Sequence, residues 1–221
     1  MSASSRIPVI GLVGGVGSGK STVARWLTKR RSLAVLDGDA IGHRILTDNN
    51  IIEQLRQRFG ESVLDDGHNI NRTALGRKVF GKTTEEQQAR HDLEQIVHPQ
   101  IRSGLIHDIE IVRQSGDVEA ILMDAAVLLE AGWNHLCDSI VFIETPFESR
   151  KTRVQESRSW NENEVPQREA SQLSLSEKRA AAEFVVDNST SIEQAGEELS
   201  EILDKIIQRT HQDPSTGTSS P

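Results

Sequence analysis

The stretch that decides the fold is GGVGSGKST, which runs from Gly14 to Thr22. It fits the pattern G-x-x-x-x-G-K-[ST], follows the apolar run VIGLV and leads into a segment with helical spacing. Glycines let such a loop curl so that its backbone N–H groups point at a phosphate chain, and the following helix N-terminus adds partial positive charge. The sequence therefore predicts a loop that binds the phosphates of a nucleoside triphosphate. The alternative is a flexible glycine-rich turn without a ligand.

Two side chains at the end of this loop have predicted chemical roles. Lys20 is expected to reach the β- and γ-phosphates, and the hydroxyl of Ser21 is expected to hold Mg²⁺. The predicted nucleotide-binding residues of the loop are Gly14, Gly15, Gly17, Ser18, Gly19, Lys20, Ser21 and Thr22.

Composition limits the function classes that the chain can serve. It has 221 residues and a formal net charge of −8, which disfavours nucleic acid as a partner because phosphate backbones are repelled. No apolar run approaches the about 18 residues of a membrane span, and the N-terminal MSASSR lacks a signal-peptide core, so we expect a cytoplasmic protein without a membrane partner. Cys137 is the only cysteine and is expected to be inert packing.

Short apolar runs alternate with helical patterns along the chain. This order predicts an α/β fold with a parallel sheet flanked by helices on both faces. The predicted strands are Val9–Val13, Leu33–Asp37, Ala120–Asp124, Ser139–Glu144 and Phe184–Val186. A long helical pattern from Leu93 to Val112 contains Pro99, which is expected to kink or divide the helix. The charged segment from Ser149 to Arg179 has no strand signal and is expected to form a helical excursion outside the sheet.

Within the triphosphate-binding classes, the chain favours a kinase of a small metabolite. It has no N-K-x-D string of the kind that reads guanine, and it is short for a molecular motor. DGDAIGH, from Asp37 to His43, follows the second strand, and the carboxyl ends of parallel strands face the ligand crevice. Asp37 and Asp39 are therefore expected beside the triphosphate, one to take the proton of the acceptor hydroxyl and one to hold Mg²⁺ through water. Capping of the following helix is the alternative for one of them.

At this point the sequence resembles the dephospho-coenzyme A kinase family. GLVGGVGSGKST followed by LDGDAIGH is similar to two of that family's motifs. The further similar segments, in chain order, are INRTALGRKVF (Ile70 to Phe80), LEQIVHPQIR (Leu93 to Arg102), MDAAVLLEAG (Met123 to Gly132) and EKRAAAEFVVDNS (Glu177 to Ser189). The resemblance implies a P-loop kinase fold that transfers the γ-phosphate of ATP, with Mg²⁺, to the 3′-hydroxyl of dephospho-coenzyme A. This reaction is the last step of coenzyme A synthesis.

The resemblance also implies a domain organisation. We expect an N-terminal extension over residues 1–8, a single kinase domain over 9–209 and a disordered tail over 210–221, where Pro, Ser, Thr and Gly dominate. Within the domain, the helical substrate-binding part is expected at about 45–118 and a lid at about 149–179. Exposed polar helices indicate a monomer.

Further site residues come from the matched motifs. Asp39 is implied as the general base, Asn188 as a residue near the adenine, and Asp124 as a second acid that meets Mg²⁺ through water. The implied substrate-binding residues are Asp39, Arg72, His98 and Glu130. Alternatives remain open: Arg72 could pair with an acid, His98 could bond a helix end, Glu130 could orient a helix end, and Asp124 could simply bond the loop.

Arginines of the predicted lid are implied to neutralise phosphate charge. They are Arg153, Arg158 and Arg168, of which Arg158 is the predicted catalytic one. The chain departs from the family pattern at Gly38, Ala126 and Glu183 and has one extra residue between Arg153 and Arg158. A P-loop kinase of another small metabolite or nucleotide, and a nucleotide-binding regulator without transfer chemistry, are the alternative functions.

Overall fold

The sheet of the computed structural model has five parallel strands in the order β2-β3-β1-β4-β5, within the described residues 6–81, 83–158 and 164–212. The strands are β1 Val9–Val13, β2 Leu33–Asp37, β3 Ala120–Asp124, β4 Ser139–Glu144 and β5 Phe184–Asp187. All five predicted strands are confirmed, with β5 one residue longer than predicted. Every residue of the central strand β1 is buried, as expected for a parallel strand that is covered on both faces.

The helices connect and extend the strands. In chain order they are α1 Lys20–Thr28, α2 Gly38–Ile45, α3 Asn49–Phe59, α4 Arg72–Val79, α5 Thr84–Ser115, α6 Phe147–Arg158, α7 Glu164–Glu169, α8 Leu175–Ala180 and α9 Ile192–Gln212, with short 3-10 helices at Glu61–Val63 and Trp133–Leu136. The helical nature of the predicted excursion is thus confirmed, because α7 lies within it and most of α6 and α8 does. In the described ranges, no helix is both long and apolar enough to cross a lipid bilayer.

One of the two outcomes expected at Pro99 is excluded, and one helix boundary differs from the sequence predictions. Pro99 does not divide α5, which continues through it, while a kink at this residue stays a prediction; the hydroxyl of Ser103 donates to the Pro99 carbonyl over 3.0 Å. The tail predicted from residue 210 is wrong for residues 210–212, because α9 continues to Gln212. Thr210 is buried one turn after Ile206 and donates to its carbonyl over 2.9 Å, so it extends the apolar face of the helix. The predicted tail from 213 onward lies outside the described residues.

The chain divides into two compact units, each with its own apolar core. One unit contains the described residues up to Asp37 and from Asp108 onward, and the other is Gly38–His107. The helical part was predicted at about 45–118, whereas the compact unit is Gly38–His107. The chain leaves the sheet directly after β2 and builds a second core from residues of α3, α4 and the first 3-10 helix, including Leu55, Val63 and Leu75.

In the first unit, α1 and α9 cover one face of the sheet. Leu12 of β1 belongs to the same buried cluster as Val23 of α1 and Leu199 of α9. Gly196 lets the two helices approach closely, because a Cβ atom there would lie 2.2 Å from the ring of Trp26. This packing fixes α1 against the sheet and so fixes the loop that precedes it.

Candidate active site

The glycine-rich loop between β1 and α1 adopts a conformation that only glycine accommodates readily. Gly17 has a φ of 77° and Gly19 a φ of 87°. A Cβ atom on Gly17 would lie 2.5 Å from Val154 of α6, and one on Gly19 would lie 2.6 Å from the side-chain amide of Asn188. The loop is therefore held closely between α6 and the segment that follows β5.

Two buried side chains bind the backbone of the loop at Ser18. The carbonyl of Ser18 accepts a hydrogen bond of 2.7 Å from Nδ2 of Asn188 and one of 2.9 Å from the hydroxyl of Thr145. Asn188 is itself tied to β4, because its backbone N–H donates to the Glu144 carbonyl over 2.8 Å. Asn188, expected near the adenine, thus supports the phosphate loop through its side chain; contact with a base stays a prediction.

Lys20 directs its ammonium group back over the loop. Its Nζ atom donates to the carbonyls of Gly14 and Gly15, each over 3.3 Å. These are long hydrogen bonds to neutral acceptors, and a phosphate oxygen would be a stronger partner for an ammonium group. The position of this cation beside a cradle of glycine backbone fits the triphosphate of a nucleotide.

Ser21 and Asp124 come together at the carboxyl edge of the sheet, and their role toward magnesium stays a prediction. Ser21, in the first turn of α1, donates from its hydroxyl to Oδ2 of Asp124 at the end of β3. Asp37 ends β2 in register with Asp124, so two strand-end carboxyl groups lie on adjacent strands. Hydroxyl and carboxylate oxygens are ligands that Mg²⁺ takes, and it commonly keeps waters and substrate phosphates as its remaining ligands. The donor set therefore fits the predicted magnesium ion.

Three of the predicted substrate residues belong to the second unit. Asp39 is exposed in the first turn of α2, and Arg72 begins α4. Arg72 contacts His43 rather than an acid, with 2.6 Å between Nη2 and Nε2. Since the guanidinium only donates, this ring nitrogen of His43 is the acceptor in the contact. Apart from its place one helical turn after Asp39, nothing in the sequence marked His43 as a partner of Arg72.

His98 lies inside α5 and is half-buried. Burial lowers the pKa of its imidazole below the ordinary value, with the positive charge of Arg90 acting in the same direction and Glu94 opposing it. A neutral ring at neutral pH suits a hydrogen-bonding role in the helix as well as a role toward substrate. Both alternatives from the sequence remain open.

Glu130 orients a helix end, which was one of its two predicted alternatives. Its Oε1 atom accepts from the ammonium of Lys178 and from the backbone N–H of Leu173, each over 2.9 Å. Leu173 precedes Ser174, the residue that caps the N-terminus of α8. Oε2 of Glu130 is buried and has no hydrogen-bond partner in the described part of the chain. Binding of substrate by this carboxylate stays a prediction.

The arginines of the predicted lid occupy different environments. Arg153 donates to the backbone carbonyl of Asn188 over 3.1 Å, which places it at the loop anchor. Arg168 is exposed on α7. The side chain of Arg158, predicted to be catalytic, lies outside what the structure describes.

Arg150 was missed by the sequence prediction and is the buried arginine at the loop. Its guanidinium donates to the Thr145 carbonyl over 3.2 Å and to the Val16 carbonyl over 3.1 Å, and it forms an ion pair with Glu169. The backbone N–H of Val16 donates to Oε1 of Glu169 over 3.0 Å. Only the abundance of arginine in this segment hinted at such a residue, and nothing in the sequence distinguished Arg150 from Arg153.

A cavity of about 510 Å³ lies beside the loop in the first unit. Gly15 and Arg150 line it on the loop side, and Leu175, Arg179 and Ser189 line it elsewhere. Arg179 forms an ion pair with Glu144 at the end of β4. Apolar and charged groups thus meet in a space next to the predicted phosphate site.

The chain is similar to known proteins in sequence and in fold. A family model described as dephospho-CoA kinase matches residues 8–194. The dephospho-CoA kinase of Corynebacterium diphtheriae is 36% identical over 185 residues, which are 83% of this chain and 89% of that protein. The dephospho-CoA kinase of Latilactobacillus sakei is 30% identical over 202 residues, 91% of this chain and 96% of that protein. The crystal structure of TT1252 from Thermus thermophilus superposes with a TM-score of 0.75 and 31% identity, and covers 90% of this chain and 98% of that one. The α/β kinase fold predicted from the sequence is confirmed.

Proposed function

We propose that this chain, which belongs to the dephospho-CoA kinase family, transfers the γ-phosphate of ATP to the ribose 3′-hydroxyl of dephospho-coenzyme A. The products are coenzyme A and ADP, and the reaction completes coenzyme A synthesis. The observation that carries the proposal is the hydrogen bond from Ser21 to Asp124 beside Lys20, at the end of a glycine-rich loop. This is the combination of cation, hydroxyl and carboxylate that phosphoryl transfer from a magnesium-bound triphosphate uses.

On the phosphate side, the loop binds through its backbone N–H groups and Lys20 contributes the charge. The ammonium exchanges the carbonyls of Gly14 and Gly15 for phosphate oxygens, which are stronger acceptors. Ser21 and Asp124 would hold Mg²⁺, which supplies charge neutralisation at the phosphates. Arg153 and Arg168 are the described arginines proposed to neutralise further charge, and Arg158 is proposed for the same role.

On the acceptor side, Asp39 receives the proton of the ribose hydroxyl. A free aspartate has a pKa of about 4, far below that of a hydroxyl. This mismatch is tolerable because the transition state of phosphoryl transfer is loose, so the proton leaves late and positioning dominates. Arg72, held by His43, is proposed to pair with a phosphate of the substrate, and His98 and Glu130 are proposed to contact the same substrate.

Location and oligomeric state are also proposed. We infer a cytoplasmic monomer that needs ATP and dephospho-coenzyme A and no macromolecular partner. Light scattering of the purified chain would test the monomer, with a mass near the 24.5 kDa of one chain as the expected value.

A coupled assay of ADP release tests the function. Purified chain, Mg²⁺ and ATP are mixed with dephospho-coenzyme A, and glycerate, shikimate and nucleoside monophosphates serve as control acceptors. Turnover with dephospho-coenzyme A alone is the expected result. Turnover with a control acceptor instead would reassign the substrate, and binding of ATP without turnover on any acceptor would favour a regulator.

A matched pair of variants tests the proposed base. Asp39→Asn is expected to reduce kcat by at least about 100-fold while ATP still binds, since general bases contribute about 10²–10⁴-fold. Asp66→Asn removes one negative charge from an exposed position of the same unit and is expected to leave kcat unchanged. Near-normal turnover of Asp39→Asn would remove this residue from the role.

A further inference from the structure

A carboxylate lies on the backbone of the phosphate loop. Oε1 of Glu169, in α7, accepts a hydrogen bond of 3.0 Å from the backbone N–H of Val16, inside the loop. The same oxygen accepts from Nη1 of Arg150. One oxyanion is thus bound by a loop N–H and a guanidinium, which is the way such loops and arginines bind a phosphate oxygen.

Neighbouring residues hold this carboxylate in its position. Arg150 is only 3% exposed and is fixed by two further hydrogen bonds, to the carbonyls of Thr145 and Val16. Gly15 provides the space, because a Cβ atom there would lie 2.5 Å from Nη1 of Arg150 and 2.8 Å from Oε1 of Glu169. Glu169 is more exposed than its partner, with 21% of its side chain accessible, so it is the member of the pair that can move away.

We propose that Glu169 is an affinity-determining residue that competes with the triphosphate of ATP for the loop, with Arg150 as the cation they share. In this arrangement the Val16 N–H and the Arg150 guanidinium bind the Glu169 carboxylate before ATP enters. When the triphosphate binds, it takes over these donors and the carboxylate moves to solvent. No bond is made or broken in the exchange. The inference rests on the proposed binding of ATP to this loop.

The energetic consequence follows from the charges. With the carboxylate in place, the positive potential of the loop is partly neutralised, and ATP has to displace a charge-assisted hydrogen bond before it binds. Arg150 remains paired in both states, so a buried guanidinium is never left without an anion. Glu169 therefore weakens ATP binding while it keeps the empty loop in its binding conformation.

The experiment measures binding of inorganic tripolyphosphate by calorimetry to the full chain and its variants. This probe has no base and no ribose, so it reports the phosphate position alone. Glu169→Gln removes the charge but keeps the size of the side chain, and Glu156→Gln removes one charge from an exposed position of α6 as the matched control. We expect the dissociation constant of Glu169→Gln to fall at least about fivefold, since charge-assisted hydrogen bonds are about twice as strong as neutral ones. That of Glu156→Gln should stay near the wild-type value.

Steady-state kinetics separate this role from a structural one. Glu169→Gln should lower the KM for ATP and leave the KM for dephospho-coenzyme A unchanged, which a general loss of folding would not do. Circular dichroism and thermal melting verify that the variant is folded, and Glu169→Asp provides a second variant in which the shorter side chain reaches the loop less well. Tripolyphosphate binding by both variants that is equal to or weaker than that of the wild type would overturn the inference. Turnover of dephospho-coenzyme A would still uphold the function. Failure of the wild type and Glu169→Gln alike to bind tripolyphosphate would overturn the inference, and absence of turnover with ATP and dephospho-coenzyme A in the wild type would overturn the function as well.

Discussion

The hydroxyl of Ser21 donates a hydrogen bond to the carboxylate of Asp124, across more than one hundred positions of sequence. It joins the helix after the phosphate loop to the end of a neighbouring strand. The pair places a neutral oxygen and a charged oxygen side by side where Mg²⁺ is expected. The two side chains should therefore act as a unit on the metal.

The Ser21–Asp124 pair predicts a coupled dependence on magnesium. Ser21→Ala and Asp124→Asn should each raise the Mg²⁺ concentration needed for half-maximal activity by about tenfold or more, because each removes an oxygen ligand or its orienting partner. The double variant should lose less than the product of the single effects, because the residues contact each other. Titration of activity with MgCl₂ at saturating ATP measures this. Independent, multiplicative effects would contradict a shared metal site.

Asn188 is predicted to act on nucleotide affinity through the loop. Asn188→Ala removes the amide that donates to the Ser18 carbonyl, and it should cost about 1–3 kcal/mol of unfolding free energy, as for other buried hydrogen bonds that lose a partner. Asn188→Asp should be at least as damaging, because its carboxylate offers no donor and would face a carbonyl oxygen. Urea unfolding measures the loss of unfolding free energy, and tripolyphosphate binding measures the effect on phosphate affinity.

Asn50→Ala is the control for Asn188, since Asn50 is exposed on α3. It should leave tripolyphosphate binding unchanged. Wild-type stability and binding in Asn188→Asp would show that the amide donor does not hold the loop.

The ion pair between the buried Lys178 and the partly buried Glu130 is predicted to stabilise the fold through mutual neutralisation. Lys178→Met leaves the Glu130 carboxylate without its cation, and Glu130→Gln leaves the buried Lys178 without its anion. Each should cost about 3–5 kcal/mol, while the double variant should cost clearly less than their sum. Urea unfolding of the four proteins gives the coupling energy. Additive losses would mean that the charges do not interact, and a raised KM for dephospho-coenzyme A in Glu130→Gln would support its proposed contact with substrate.

Cys137 is predicted to be an unreactive thiol. Its Sγ atom lies 3.9 Å from the sulfur of Met123, and burial, with a further contribution from the charge of Asp138, raises the thiol pKa to about 12. Because an unfolded cysteine has a pKa of about 8.5, the folded state should lose stability as the pH rises above that value. At pH 8, reaction with a disulfide reagent should be at least about 100-fold slower than in denaturant, since the thiolate is the reactive form.

The signal from this reagent is unambiguous because the chain has one cysteine. The Cys137→Ser variant, which has no thiol, measures the background signal of the reagent. Reaction of the folded protein at the rate of a free thiol would show that the sulfur is accessible and ionises normally.

Sequence reasoning succeeded where local pattern decides structure. The run from Val9 to Val13 is continuously apolar, so it had to be a strand buried on both faces, and the glycines after it had to form a loop. The position of Asp124 at the end of β3 was also predicted, and parallel strands end at one edge of the sheet, whereas its hydrogen bond with Ser21 was not predicted. These features depend on neighbours in the sequence or on the sheet rule alone.

Contacts between side chains of separate helices could not be predicted from the sequence. Arg150 and Glu169 are 19 positions apart on α6 and α7, and only the docking of both helices on the loop joins them. The contact of Arg72 with His43 similarly depends on how α4 lies beside α2. Thr210 was assigned to the tail by its composition, although it continues the apolar face of α9.

Identification of the reaction product is the decisive test of phosphate transfer to the ribose 3′-hydroxyl. The full chain is incubated with Mg²⁺, ATP and dephospho-coenzyme A, and the product is analysed by mass spectrometry and ³¹P NMR against authentic coenzyme A. The expected product is coenzyme A with the new phosphate on the ribose 3′-oxygen, and almost none is expected with Asp39→Asn at equal enzyme concentration. Phosphate on another position, or no coenzyme A from a wild-type chain that binds tripolyphosphate, would contradict it.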